Sequence, residues 1–337
     1  MRERLPAEAA PYDSIPIIDL GPSFSGGLED RRAVAREIRA AGCAAGFFYV
    51  RNHGVPAELT AEHLALARTF FALPEAEKRE IDLQFSPCRR GYIPLPEPNP
   101  AATAPPEFVA PPLELKEGFL IGNDLGADHP YVRAGVPNTG PNQWPRNPPQ
   151  LRAHFERYLT HMLGLGRHLM RCLALSLELP QTYFDDGLAN ATVFARYIHY
   201  PAPPAPLPAN LITGNTAHVD WGLLTILLQD DIGGLEVQNP AREWIPAPYI
   251  PDTFIVNLGE MFEVLSNGLY RASMHRVIGN TSGRSRYSAP TFIDPDYFYR
   301  VACVPTCVPA NGTPAFPPAT VGEHLAARYR QTYPAAS

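Results

Sequence analysis

Long apolar runs, paired cysteines and a basic excess are all missing from this 337-residue chain. No stretch approaches the ~20 consecutive apolar residues of a membrane-spanning helix. The opening Met1-Arg2-Glu3-Arg4-Leu5-Pro6 has no apolar signal region. Five cysteines (Cys43, Cys88, Cys172, Cys303 and Cys307) form an odd set without a disulfide spacing, which reads as reduced thiols. A metal site at Cys303 and Cys307 would need two more ligands than the neighbouring sequence offers. The expectation is a cytoplasmic protein with no membrane partner. A formal net charge of −6 supplies no basic stripe for nucleic acid. Charged residues, at 18%, are too sparse for a disordered tail protein, and 45% hydrophobic residues can fill a sizeable core. Neither internal repeats nor a flexible linker between domains is visible.

Proline is abundant, at 39 residues, and concentrates in 87–112, 201–208 and 305–318. Such segments suit neither helix interiors nor central strands. They read as stiff surface loops or as the rim of a cavity. Apolar residues at helical spacing predict helices over 28–45, 57–71 and 151–177. From Ala191 the pattern changes to short runs bounded by turn formers: 193–200, 223–228, 234–237, 243–245, 254–257, 276–279, 287–293 and 298–303. Helices first and strands later predict a mainly β fold, with flanking helices packed on a two-sheeted sandwich.

Histidine needs sorting before any is given a role. His154, His161 and His168 recur every seven residues, so successive members stand about 10.5 Å apart along a helix and cannot share an ion. They predict a polar helix edge. His53, in the turn Asn52-His53-Gly54, is expected to hydrogen-bond its own loop.

His218-Val219-Asp220, then His275, then Arg286-Tyr287-Ser288 form the chemically informative set. Two imidazoles and a carboxylate can occupy one face of an octahedral iron(II) and leave three positions open. The His-x-Asp spacing is what a strand supplies, with His218 and Asp220 on one face and Val219 turned into the core. Arg286 and Ser288, again two apart, offer a guanidinium fork and a hydroxyl to a carboxylate held away from the metal.

The order of these residues, with the stretches Gly214 to Thr225 and Asn257 to Gly268 around them, resembles the iron(II)/2-oxoglutarate-dependent dioxygenases. The similarity is to the branch that includes isopenicillin N synthase and the plant flavonoid and gibberellin oxygenases. Further landmarks are Ile15-Pro16-Ile17-Ile18-Asp19-Leu20, Ala45 to Val55, Arg90-Gly91-Tyr92, Lys116-Glu117-Gly118-Phe119 and Gly140 to Pro145.

The resemblance implies a double-stranded β-helix, or jelly roll, with the metal between its sheets. It divides the chain into an N-terminal region (14–145), a central helix region (146–190), the jelly-roll core (191–303) and a C-terminal segment (304–337). It implies iron(II) on His218, Asp220 and His275, and 2-oxoglutarate against Arg286, Ser288 and Tyr200. Dioxygen is the third reactant, and succinate and carbon dioxide leave with the oxidised product. Hydroxylation is the default outcome, with desaturation or cyclisation as variants. The intact Asp220 argues against halogenation, in which a small residue replaces the carboxylate. Ile198 departs from many plant members, which carry Asn there. Alternation places Arg196, Ile198 and Tyr200 on one strand face. Arg196 is therefore read either as an anchor for the primary substrate or as half of an internal ion pair. Ile198, Trp221 and Phe292 are further candidates for substrate contact. His199 should turn away from the site.

The expected partner is a small metabolite; oligomeric state is not legible. Two alternatives stay open. An isopenicillin N synthase-like oxidase would need no 2-oxoglutarate, and a silent binding protein would have lost a ligand. A zinc hydrolase could also use His, Asp and His, but no separate feature argues for one.

Overall fold

The computed structural model describes residues 12–98, 113–203, 211–280 and 282–332 of the chain. The N-terminal third runs β1 (Ile17–Asp19), α1 (Gly21–Ser25), α2 (Leu28–Ala44), β2 (Phe47–Arg51), α3 (Ala57–Phe71) and α4 (Glu75–Arg79). Strands β3 (Gly91–Ile93), β4 (Glu97–Pro98), β5 (Leu113–Glu114) and β6 (Glu117–Gly122) follow, then α5 (Pro130–Arg133) and the long α6 (Leu151–Ser176). Next come β7 (Thr192–Tyr200), β8 (Leu211–Ile212), β9 (Asn215–His218), β10 (Leu224–Gln229), β11 (Leu235–Gln238), β12 (Trp244–Ala247) and β13 (Phe254–Leu258). After α7 (Glu260–Leu265) the chain ends through β14 (His275–Val277), β15 (Arg286–Asp294), β16 (Arg300–Val301), β17 (Ala319–Thr320) and α8 (Val321–Thr332).

Two sheets form a jelly roll, the major one ordered β1-β2-β13-β10-β15-β7-β6-β3 and the minor one β12-β11-β14-β9. Strand alternation sorts the major sheet into two faces. Leu224, Ile226 and Leu228 of β10 and Phe254, Val256 and Leu258 of β13 join Ile38, Phe70, Phe155 and Leu169 of the helices in one large apolar core. The opposite face looks into the space between the sheets, part of which is filled by Phe47, Tyr49, Val237, Ala247 and Ile255. The polar members of that inner face, Thr225, Gln229, Asn257, Arg286 and Ser288, are all buried.

The expected helices appear as α2, α3 and α6. Helices α7 and α8 were not expected, and the run 298–303 shrinks to the two residues of β16. Of the proline-rich segments, 99–112 and 204–210 lie outside the described residues. His53 behaves as expected, its Nδ1 accepting from the Val55 amide at 3.2 Å.

The polar-edge expectation holds for exposed His161 but is corrected for His154, which is buried. Its Nε2 lies 3.1 Å from Nδ1 of His63 on α3, and its Nδ1 lies 3.1 Å from Glu62. His168 is half-buried, stacked on Phe24 at 3.8 Å and 2.7 Å from the Ser23 hydroxyl. These contacts come from other helices, so no spacing along α6 could reveal them.

His63 is enclosed by Tyr158, stacked at 3.5 Å, and by the Tyr197 hydroxyl at 3.0 Å. Burial pushes its pKa well below the usual histidine value. A histidine with a depressed folded pKa contributes stability above its unfolded pKa and loses it as pH falls. Urea unfolding of the wild-type chain should therefore weaken from about pH 6.5 downward, by at most ~1.4 kcal/mol per pH unit for this group. The slope should flatten in His63→Phe. An equal slope in the variant would remove His63 from the acid response.

Candidate active site

β9 and β14 run antiparallel in the minor sheet with His218 and His275 as register partners, which brings the two imidazoles together, ring centres 4.2 Å apart and planes inclined at 53°. The strand does not carry both His218 and Asp220, as the spacing had suggested. β9 ends at His218, and Val219 belongs to neither apolar core cluster. Asp220 instead reaches across to the major sheet. Its Oδ2 accepts from Thr225 Oγ1 at 2.6 Å and from Asn257 Nδ2 at 2.7 Å. Thr225 and Asn257 are themselves register partners on β10 and β13.

That grip leaves Asp220 Oδ1 turned toward the histidines, 3.9 Å from His218 Nε2 and 3.7 Å from His275 Nε2. Each imidazole uses its other nitrogen locally. Nδ1 of His218 donates to the Thr216 carbonyl at 2.8 Å, and Nδ1 of His275 to the Ser273 carbonyl at 3.1 Å. Both Nε2 lone pairs are thereby free for a metal. Burial, reinforced by neighbouring His275, pushes the His218 pKa down to about 4 and keeps the ring neutral. Burial alone would raise the pKa of Asp220, but His275, His218, Asn257 and Thr225 hold it below the usual carboxylate range. One ligand atom from each of the three residues lies within 4.8 Å of the others. Two imidazoles and one carboxylate on one side suit an octahedral ferrous ion with open positions.

Arg286 lies deeper, 1% exposed, on the inner face of β15. Its Nε donates to the Gly233 carbonyl at 2.5 Å, Nη2 to Gln229 Oε1 at 3.3 Å and Nη1 to Ser288 Oγ at 3.2 Å. The Tyr200 ring lies under the guanidinium at 4.9 Å, and register pairs Arg286 with Tyr200 and Ser288 with Ile198. Every hydrogen bond it makes is to a neutral group, and Asp230 acts on it only from farther away, so the cation remains available to an anion. Arg196 extends over Gly118 of β6, where a Cβ would stand 2.7 Å from Arg196 Nε. Phe292 pairs with Phe194 across β15 and β7. Trp221 packs edge-on against Tyr329 at 5.5 Å. His199 faces away, as expected, with Nδ1 2.7 Å from Glu117 Oε1.

Thr216, Thr225, Gln229, Gly233, Asn257 and Ser273 were not singled out from sequence. Asp294 was also missed; its Oδ1 accepts from the Leu223 amide at 2.7 Å and tethers the loop after Asp220. Burial raises the Asp294 pKa to about 6. A signal existed for three of these residues: Thr225, Gln229 and Asn257 are the polar members of otherwise apolar strands, and a buried polar side chain needs a partner.

A family profile described as non-haem dioxygenase in morphine synthesis, N-terminal, matches residues 15–147, and one described as 2OG-Fe(II) oxygenase superfamily matches 189–295. The 2-oxoglutarate-Fe(II) type oxidoreductase hxnY of Emericella nidulans is 35% identical over 94% of this chain and 90% of its own length. The homoarginine-6-hydroxylase 2-ODD-C23 of Glycine max is 35% identical over 94% and 96%. A crystal structure of a 2OG-Fe(II) oxygenase family protein from Caulobacter crescentus superposes with a TM-score of 0.80 at 26% identity, covering 95% of this chain and 99% of that one.

Thr225→Val and Asn257→Leu should each weaken iron(II) binding by roughly 10–100-fold, because outer hydrogen bonds orient a ligand and tune its basicity. His218→Ala, Asp220→Ala and His275→Ala should abolish stoichiometric binding. Anaerobic calorimetric titration reads both effects. Wild-type affinity in both anchoring variants would show that Asp220 needs no support from the major sheet.

Proposed function

The chain belongs to the iron(II)- and 2-oxoglutarate-dependent oxygenases, and on that footing we propose that it hydroxylates a small metabolite at an iron(II) held by His218, Asp220 and His275. The observation that supports this assignment best is the division of labour within each ligand. One atom is tied to the protein and the other is directed at a common point. Iron(II), 2-oxoglutarate and dioxygen supply the chemistry, in which decarboxylation of the cosubstrate to succinate accompanies oxidation of the substrate.

The protein's part is positioning. Arg286 receives the distal carboxylate of 2-oxoglutarate as a charge-assisted fork, with Ser288 and Tyr200 beside it. Gly233 and Gln229 hold the guanidinium still, so little freedom is lost on binding. Arg196, Ile198, Trp221 and Phe292 form the wall toward the primary substrate. All three metal ligands and the Arg-x-Ser pair are present, which speaks against a silent binding protein. Asp220 fills the position that a halide would need.

The metal and cosubstrate residues fall in the core 191–303, flanked by the regions 14–145, 146–190 and 304–337. The N-terminal match over 15–147 supports the isopenicillin N synthase-like branch. The five cysteines carry no disulfide, in keeping with a cytoplasmic setting. Among the described residues no helix is long and apolar enough to cross a membrane.

Arg286→Ala should raise the 2-oxoglutarate concentration needed for half-maximal succinate release, by the equivalent of ~2–5 kcal/mol for losing one partner of a buried charge pair. Ser288→Ala and Tyr200→Phe each remove one hydroxyl and should cost less, about 0.5–3 kcal/mol. Oxygen consumption by the wild type that proceeds equally without 2-oxoglutarate would replace this assignment with the oxidase alternative. Arg196→Met should raise the KM of the primary substrate and leave that of 2-oxoglutarate nearly unchanged. A change confined to 2-oxoglutarate would move Arg196 to the cosubstrate.

A further inference from the structure

A chamber of about 310 Å³ opens at the Phe194 end of β7, walled also by the 123–139 segment, α6 and α8. That volume is at the small end of the ~300–1,000 Å³ typical of ligand pockets. Sheet register connects it to the metal donors. Asn257, Thr225, Phe292, Phe194 and Gly122 are successive partners across five strands. At ~4.8 Å per strand, Phe194 stands roughly 10 Å from Thr225, which grips Asp220. Trp221, next to Asp220, packs on Tyr329, a second wall of the same chamber.

The lining contains Arg90, Arg167 and His129 but no aspartate or glutamate. Arg90 is only 2% exposed. Its Nη1 donates to the carbonyls of Cys88 at 2.8 Å and Arg89 at 3.3 Å, and its Nη2 to that of Asn138 at 2.8 Å. Its buried Nε has no hydrogen-bond partner. Gly122 makes room for this side chain, since a Cβ there would stand 2.3 Å from Nη2, and the guanidinium carbon lies 4.7 Å from the Phe194 ring centre. Nearby carboxylates are directed elsewhere. Asp124 accepts from the Asn142 amide, Trp144 and Arg152, and Asp296 accepts from the Tyr131 hydroxyl.

Four cations are buried among the described residues: Lys78, Arg90, Lys116 and Arg286. Lys78 pairs with Glu117 at 2.7 Å, and Lys116 pairs with Glu114. Neither arginine has a carboxylate at ion-pair distance; Asp124 acts on Arg90, and Asp230 on Arg286, only from farther away. A buried charge without a direct counter-ion is costly, so its retention points to an anion that arrives from outside. For Arg286 that anion is the cosubstrate.

We propose that the chamber is a second anion subsite, in which Arg90 anchors a carboxylate of the primary substrate. The substrate is then an organic acid whose apolar body packs on Phe194, Leu325 and Tyr329 while its other end reaches the metal. The word substrate rests on the oxygenase assignment; the anion site itself does not. A phosphate would meet the same cation, but the apolar walls favour a carboxylate on a hydrocarbon body.

The test is calorimetric and uses the full chain loaded with Mn(II) and 2-oxoglutarate, so that no turnover occurs. Phenylacetate, phenylacetamide and inorganic phosphate are titrated separately. Phenylacetate should bind with 2-oxoglutarate in place, at least ten-fold more tightly than the amide, and phosphate should bind more weakly than phenylacetate. Arg90→Met should erase the preference for acid over amide while the affinity for 2-oxoglutarate stays unchanged. Because Arg90 also ties two loops, Ala326→Phe provides an independent arm. It fills the chamber from α8 and should abolish phenylacetate binding with folding and 2-oxoglutarate affinity intact. Equal affinities for acid and amide, displacement of phenylacetate by 2-oxoglutarate, or undiminished binding in Ala326→Phe would each overturn the proposal. Tighter binding of phosphate would overturn its carboxylate form. Failure of the wild type to bind 2-oxoglutarate would overturn the oxygenase site instead, and an Arg90-dependent preference for phenylacetate would survive it.

Discussion

Asp220 is held by one oxygen so that the other can be offered, and this constraint joins the two sheets at the proposed iron site. The residue follows a strand of the minor sheet, yet Thr225 and Asn257, which fix its Oδ2, belong to the major sheet. The two histidines are paired within the minor sheet. Three donors can therefore converge only when the sheets are in register with one another. A buried carboxylate that lost either partner would incur a desolvation penalty of ~1–3 kcal/mol or more. The same hydrogen bonds thus stabilise the sandwich and determine which carboxylate oxygen faces the two histidines.

The major sheet can carry so many polar groups inside because its outer face is apolar. Ile38, Phe70, Phe155 and Leu169 cover β10, β13, β15 and β7 from the helix side. That large core provides burial at ~25 cal/mol per Å² of apolar surface, freeing the inner face for chemistry. Polar groups that serve only the fold are closed among themselves. Glu117 takes hydrogen bonds from Lys78, Tyr92 and His199, all on the helix side of β6 and β7. Burial would raise the pKa of Glu117, but those three donors hold it below the ordinary range. The inner face differs, since Arg286 contacts only neutral groups there.

Periodicity made the covered face legible and left the inner one partly hidden. Helices α2, α3 and α6 present repeating apolar stripes over many turns, so their extents could be read almost to the residue. That His218, Asp220 and His275 come together was legible from residue type and order. Their geometry was not, because the spacing suggested a strand through Asp220, and the hydrogen bonds that draw Asp220 out of line come from residues distant in sequence. His154 escaped for the same reason, its partner lying on another helix. Helix α8 was overlooked despite a local signal. Thr320 and Glu323 form a capping box, the Thr320 amide donating to Glu323 at 2.7 Å and the Glu323 amide to the Thr320 hydroxyl at 3.1 Å.

That helix matters to the site because of what it grips. His324 lies 2.9 Å from the carbonyl of Trp221, and Arg328 pairs with Glu260, whose own amide donates to the Asp220 carbonyl at 2.9 Å. Tyr329, Leu325 and Ala326 of the same helix line the chamber beside Phe194. The wall of the chamber and the backbone that follows Asp220 are therefore parts of one hydrogen-bonded unit. A displacement of α8 cannot alter the chamber without also loading the Asp220–Trp221 peptide. The spacing between the chamber and the three donors is therefore held by His324, Arg328 and Glu260, none of which lines the chamber.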